Sequence, residues 1–65
     1  MIDGGKVWLE GTNSLGQVSL GMSSGLGATV ADLPKDVKSG SFALDYTTIT
    51  AYFYDGKEWV IANGD

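Results

Sequence analysis

The chain contains no cysteine, no histidine and no arginine, and it has a single proline. Without cysteine there are no disulfide staples, and without histidine as well a structural zinc ion has no ordinary ligands. The same absences remove the usual general base, the best nucleophile and the usual phosphate clamp. No enzyme activity, cofactor or metal is therefore expected. Positive charge is also scarce: Lys6, Lys35, Lys38 and Lys57 are scattered against eight carboxylates, giving a formal net charge of −4. Phosphate contacts need clustered Lys and Arg, so nucleic acid is not an expected partner. Long hydrophobic runs are missing too. No segment approaches the ~20 apolar residues that span a bilayer, and the N-terminus lacks a basic stretch followed by an apolar core, so neither a membrane helix nor a signal peptide is expected.

What remains is 65 residues, ten of them glycine. A chain of this size makes one small domain and buries a comparatively small share of its surface. Small domains usually need an added stabilising device, and with disulfides and metal set aside, association is the one left. A homo-oligomer, with a trimer favoured, or docking on a larger assembly is the expectation.

The clearest structural signal is the stretch from Ser41 to Ala62, which sets two β-forming runs on either side of Asp55-Gly56. That dipeptide suits a two-residue type I′ hairpin turn. With such a turn Tyr52 faces Trp59 and Ala51 faces Val60, and alternation sorts the side chains into two sets. One face carries Ile49, Ala51, Phe53, Val60 and Ala62; the other carries Thr48, Thr50, Tyr52, Tyr54, Trp59 and Ile61. Both contain apolar and aromatic residues, which is more than a solitary small domain easily buries. Tyr52, Tyr54 and Trp59 suit a core, a protein interface or a platform for sugar rings.

Upstream, Lys6 to Glu10 and Gln17 to Met22 read as a weaker hairpin around the loop GTNSLG, with Trp8, Val18 and Leu20 as its candidate packing residues. Gly21 to Gly27 is a glycine-rich joint or arm. Pro34 holds Leu33 extended and presets a turn, and Leu33 and Val37 can plug the side of a small core. The strand Ser41 to Asp45, the strand Thr48 to Tyr54 and the strand after Asp55-Gly56 then make a three-stranded meander. No stretch carries helical periodicity. The expected fold is all-β: a small antiparallel sheet of two hairpins, with an N-terminal hairpin and arm over residues 1–27 and a meander over 28–65, together one small domain completed by oligomerisation.

Gly5-Lys6-Val7-Trp8-Leu9 echoes Gly56-Lys57-Glu58-Trp59-Val60, although five residues fall short of a repeat architecture. Acid–base chemistry finds no pair, because Asp45 and Asp55 lie at opposite ends of a strand, roughly 30 Å apart at ~3.3 Å per residue. Asp32, Asp36 and Asp65 lack the alternating acidic loop of a strong calcium site.

From Asp32 to about Val60 the chain resembles small phage and prophage virion proteins. The residues that carry this are Leu33-Pro34, Gly40-Ser41, Asp45, Tyr52, Phe53, Asp55-Gly56 and Trp59-Val60, a pattern of Leu-Pro turn, Gly-Ser step, strand ending in Asp, aromatic strand, Asp-Gly and final Trp strand. The resemblance implies a head-fibre, capsid-decoration or tail-associated component, made in the host cytoplasm and located in the virion, with capsid or tail proteins as partners. The rival expectation is a small carbohydrate-binding module using the Tyr/Trp face. For either, the residues expected at the interface or core are Trp8, Val18, Leu20, Ile49, Tyr52, Phe53, Tyr54, Trp59 and Ile61, with Asp55 and Gly56 forming the turn.

Overall fold

Two antiparallel units form from the segments with β-character. In the computed structural model, which describes residues 6–62, the first unit pairs β1 (Val7–Thr12) with β2 (Val18–Met22). Asn13 builds the intervening loop: its Oδ1 accepts the backbone N–H groups of Leu15 and Gln17, and its own N–H donates to the Gln17 carbonyl. An Asn side chain bonding the backbone two residues on is a standard way to fix a turn. The register runs Val7↔Met22, Trp8↔Gly21 and Leu9↔Leu20, then slips at Glu10, so that Gly11 faces Ser19.

The second unit is the meander of β3 (Phe42–Asp45), β4 (Thr50–Tyr54) and β5 (Trp59–Ile61). Its last turn differs from the two-residue form that Asp55-Gly56 suggests. Tyr54 pairs with Trp59, leaving a four-residue loop in which Asp55 Oδ1 accepts the N–H groups of Lys57 and Glu58. Gly56 alone takes the positive φ, at 102°. The pairing has thus moved by two residues, and because side chains alternate with a period of two, each residue keeps its expected face.

Between the units the sheet is mixed, where antiparallel pairing throughout was expected. β2 lies parallel to β3, with Ser19↔Phe42, Leu20↔Ala43, Gly21↔Leu44 and Met22↔Asp45, giving one five-stranded sheet in the order β1-β2-β3-β4-β5. Parallel neighbours require a crossover of a dozen or more residues, and residues 23–41 supply it. The segment expected as a glycine-rich arm is the start of this crossover, with 3-10 turns at Ser24–Leu26 and Val30–Asp32. The β-character at Ala28 to Val30 goes unused. Thr29 and Asp32 instead form a reciprocal capping box.

The crossover lies across one face of the sheet and closes the core. Val7, Leu20, Met22, Ala43, Tyr54 and Trp59 from the strands pack with Ala28 and Leu33 from above, and Val18, Val37 and Tyr52 pack at the margin. Pro34 holds Leu33 extended (φ −73°, ψ 142°), which aims the leucine at the sheet. The polar ends of the two buried aromatics are answered by the same segment. Trp59 Nε1 donates to the Pro34 carbonyl at 2.8 Å, and the Tyr54 hydroxyl donates to the Lys35 carbonyl at 2.9 Å. The molecule measures 30 × 30 × 16 Å, one sheet thick plus this single cover.

Two buried polar side chains secure the parallel junction. The Ser41 hydroxyl donates to the Lys38 carbonyl at 2.7 Å and accepts the Val18 N–H at 3.1 Å. Asp45, at the end of β3, accepts the N–H groups of Ser24 and Thr47 and the Ser24 hydroxyl. Burial alone raises the Asp45 pKa, but the hydrogen bonds from Ser24, Thr47 and Thr48 together outweigh it and leave the carboxyl below its ordinary value.

Candidate functional site

Alternation gives the sheet a second face, and no segment among the described residues covers it. Across the strands this face carries two rows. The first is Trp8, Gly21, Leu44 and Ala51, continued by Ala62, whose N–H donates to the Ala51 carbonyl. The second is Gly11, Ser19, Phe42, Phe53 and Val60. Phe42, Phe53 and Val60 stay 38%, 43% and 37% exposed. A sheet normally buries both apolar faces against a second layer of structure. Here one layer is missing, so a flat apolar surface faces solvent.

At the β1 margin the face is organised around Glu10. The Trp8 indole lies over Gly21, where a Cβ would come within 2.5 Å of Trp8 Cε2 and 2.7 Å of Glu10 Oε2, so any larger residue there must displace those side chains. Trp8 stacks with Tyr46, centroids 5.8 Å apart and planes 13° from parallel. Trp8 Nε1 and the Tyr46 hydroxyl both donate to Glu10 Oε2, at 2.6 and 3.1 Å. The bond to this carboxylate, with minor help from burial and charge, pushes the Tyr46 hydroxyl pKa up. Glu10 is the one charged side chain that the strands place on this face among the described residues. Lys6 pairs with Asp32 on the covered side at 3.8 Å, and Asp55, Lys57 and Glu58 sit in the β4–β5 loop.

The expected site residues divide between the faces. Leu20, Tyr54 and Trp59 are core; Val18 and Tyr52 are half-buried at its edge; Ile61 lies on the same side but is 57% exposed at the short end strand. Trp8 and Phe53 belong to the open face. Ile49, expected in a strand and in the sheet core, instead ends the turn Tyr46–Ile49, exposed and in the left-handed region at φ 54°. The expected sugar platform of Tyr52, Tyr54 and Trp59 is corrected as well, since the crossover sits on Tyr54 and Trp59. The two tryptophans of the five-residue echo lie on opposite faces, so the echo is not a structural repeat, and Gly5 lies outside the described residues, as does Asp65. Phe42, Leu44, Tyr46, Glu10 and Gly21 were not anticipated. The signal for Phe42 and Leu44 was present in the pattern Phe42-Ala43-Leu44-Asp45, apolar on both sides.

The free edges of the sheet are blunt. β1 is interrupted by its bulge at Glu10, and β5 has three residues. Bulges and very short strands are common protections against edge-to-edge pairing. The open face has no equivalent protection. Comparison of the chain with known protein families, curated proteins and solved structures returns no match.

Proposed function

We propose that this protein is a structural component of a phage-like particle, acting without catalysis by self-association and by docking its open sheet face on a capsid or tail surface. One observation carries the reading: a sheet whose second apolar face has, among the described residues, no cover and almost no charge, in a chain with net charge −4. Interface centres are apolar, aromatic and depleted in charge, as this face is. The virion assignment is supported by the resemblance over residues 32–60, which form the end of the crossover and the meander. The test is co-sedimentation. An antibody to the chain should follow assembled particles through a density gradient of lysate from producing cells, in fixed proportion to the major capsid protein; its confinement to the soluble fractions overturns the reading.

A carbohydrate-binding reading has support of its own from the Trp8–Tyr46 stack beside the Glu10 carboxylate, an aromatic surface next to an acceptor. It predicts that oligosaccharides change tryptophan fluorescence and that Trp8→Ala removes the response. A glycan panel without any response counts against it.

A further inference from the structure

We propose that two copies of this chain pair face to face about a twofold axis parallel to β3, each supplying the missing layer of the other. The proposal rests on the docking reading and names its first partner. Two aligned sheets pack about 10 Å apart with their strands some 30° from parallel, and a symmetric pair needs a surface that fits itself. Five strands at ~4.8 Å spacing and about five residues of ~3.3 Å each present roughly 400 Å² of projected face, so a pair with interleaved side chains buries on the order of 1,000 Å². That is the lower bound of specific interfaces and suits a dimer that can dissociate.

Two twofold axes in the plane of the face would bring it onto itself, and charge separates them. An axis perpendicular to the strands lays β1 on β1 and sets Glu10 against the partner's Glu10, two buried like charges, which is costly. An axis along β3 lays β1 over the partner's β5. The two Glu10 carboxylates are then about four strand spacings apart, roughly 19 Å. The side-chain sizes favour the same axis. Trp8 comes over the partner's Ala62, Ser19 and Gly11 receive the partner's Phe53 and Val60, and the Phe42 and Leu44 pairs meet on the axis. Large against small across facing positions is what lets two sheet faces interdigitate. The bulk of one half of the face matches the hollows of the other half.

The Ser19–Phe53 contact makes this testable, because it occurs twice in the pair. Sedimentation equilibrium of the wild-type chain across nanomolar to 100 μM concentrations should show monomer and dimer only. Ser19→Lys and Phe53→Glu should each weaken dimerisation by at least about 30-fold. Mixed one to one they should recover a dimer, since each mixed pair holds one Lys–Glu contact and one native contact. Far-UV circular dichroism and urea midpoints on the same samples establish that both variants are folded; if either is not, Ser19→Gln and Phe53→Gln replace them and must still dissociate. A wild-type monomer at 100 μM, a trimer, variants that dimerise alone as well as wild type, or a mixture that stays monomeric each overturns the pairing. The two readings separate cleanly. A monomer that still follows particles in the gradient removes only the pairing, whereas a dimer confined to the soluble fractions removes only the virion role.

Discussion

The covered and open faces of this sheet are built from similar residues and end in opposite conditions. Each has a large aromatic pair, Tyr54 with Trp59 on one side and Trp8 with Tyr46 on the other. On the covered face both polar ends are answered by backbone carbonyls of the crossover, and the rings are buried. On the open face both polar ends meet at one carboxylate, and Tyr46 stays 46% exposed. Apolar content therefore does not decide which face becomes core. The decision lies with residues 23–41, which have one side of the sheet to cover and the hydrogen-bond acceptors to do it.

The largest expected effect contrasts the faces directly. Leu20→Ala removes a fully buried side chain and should cost about 2–5 kcal/mol in urea unfolding of the monomer. Phe53→Thr on the open face should cost less, about 1–2 kcal/mol, because the ring is already 43% exposed and β-propensity is kept. Equal costs would erase the distinction between the faces.

Asp45 sharpens it next, since this carboxylate fastens the covering segment to the end of β3. Asp45→Ala leaves the Ser24 and Thr47 N–H groups without their acceptor and should destabilise the chain by about 1–3 kcal/mol. The pH dependence follows from direction. Asp45 is held low by hydrogen bonds that outweigh its burial, Asp32 by the Thr29 N–H and then Lys6, and Asp55 by the N–H groups of Glu58 and Lys57. All three titrate lower in the folded chain than in the unfolded one. The stability they contribute is complete above the unfolded value of about 4 and is lost as pH falls through the lower folded values. Urea midpoints should be flat from pH 7 to about 5 and drop below 4, with a shallower drop in Asp45→Ala.

The smallest effect concerns the turn beside the open face. Ile49 is β-branched and held at φ 54°, where an L-residue is strained and glycine is not. Ile49→Gly should raise the urea midpoint by an amount equivalent to roughly 0.5–1 kcal/mol, strain relief exceeding the added chain entropy. A loss of stability would mean that this exposed side chain supports the fold.

Much of the architecture was legible because strand alternation is local. The Val18–Met22 alternation, the turn role of Asp55-Gly56 and the extended Leu33 all follow from neighbouring residues, and the face assignment in the meander survived a two-residue change of register. The parallel pairing was not legible, because nothing local distinguishes Met22 beside Asp45 from a free strand edge. Gly21 shows the same limit. Read along the chain it weakens a strand; read across to Trp8 it makes room for an indole. The candidate site was half visible for that reason: Trp8 and Phe53 announce themselves by type, whereas Glu10, Tyr46 and Leu44 matter through neighbours supplied by other strands.

The parallel join of β2 and β3 also carries an entropic cost of its own. Each hairpin closes over a few residues, while the join brings together groups such as Val18 and Ser41, 23 residues apart. Loop-closure entropy has to be met before such a pairing adds stability, and hairpins form on the scale of roughly 1–10 microseconds. The join is thus the costliest contact of the sheet to close, and Ser41 and Asp45 are the buried side chains that hold it. Both rows of the open face run across that join, so neither half displays the surface by itself. Anything that opens the join therefore also breaks the surface that the proposed pairing uses.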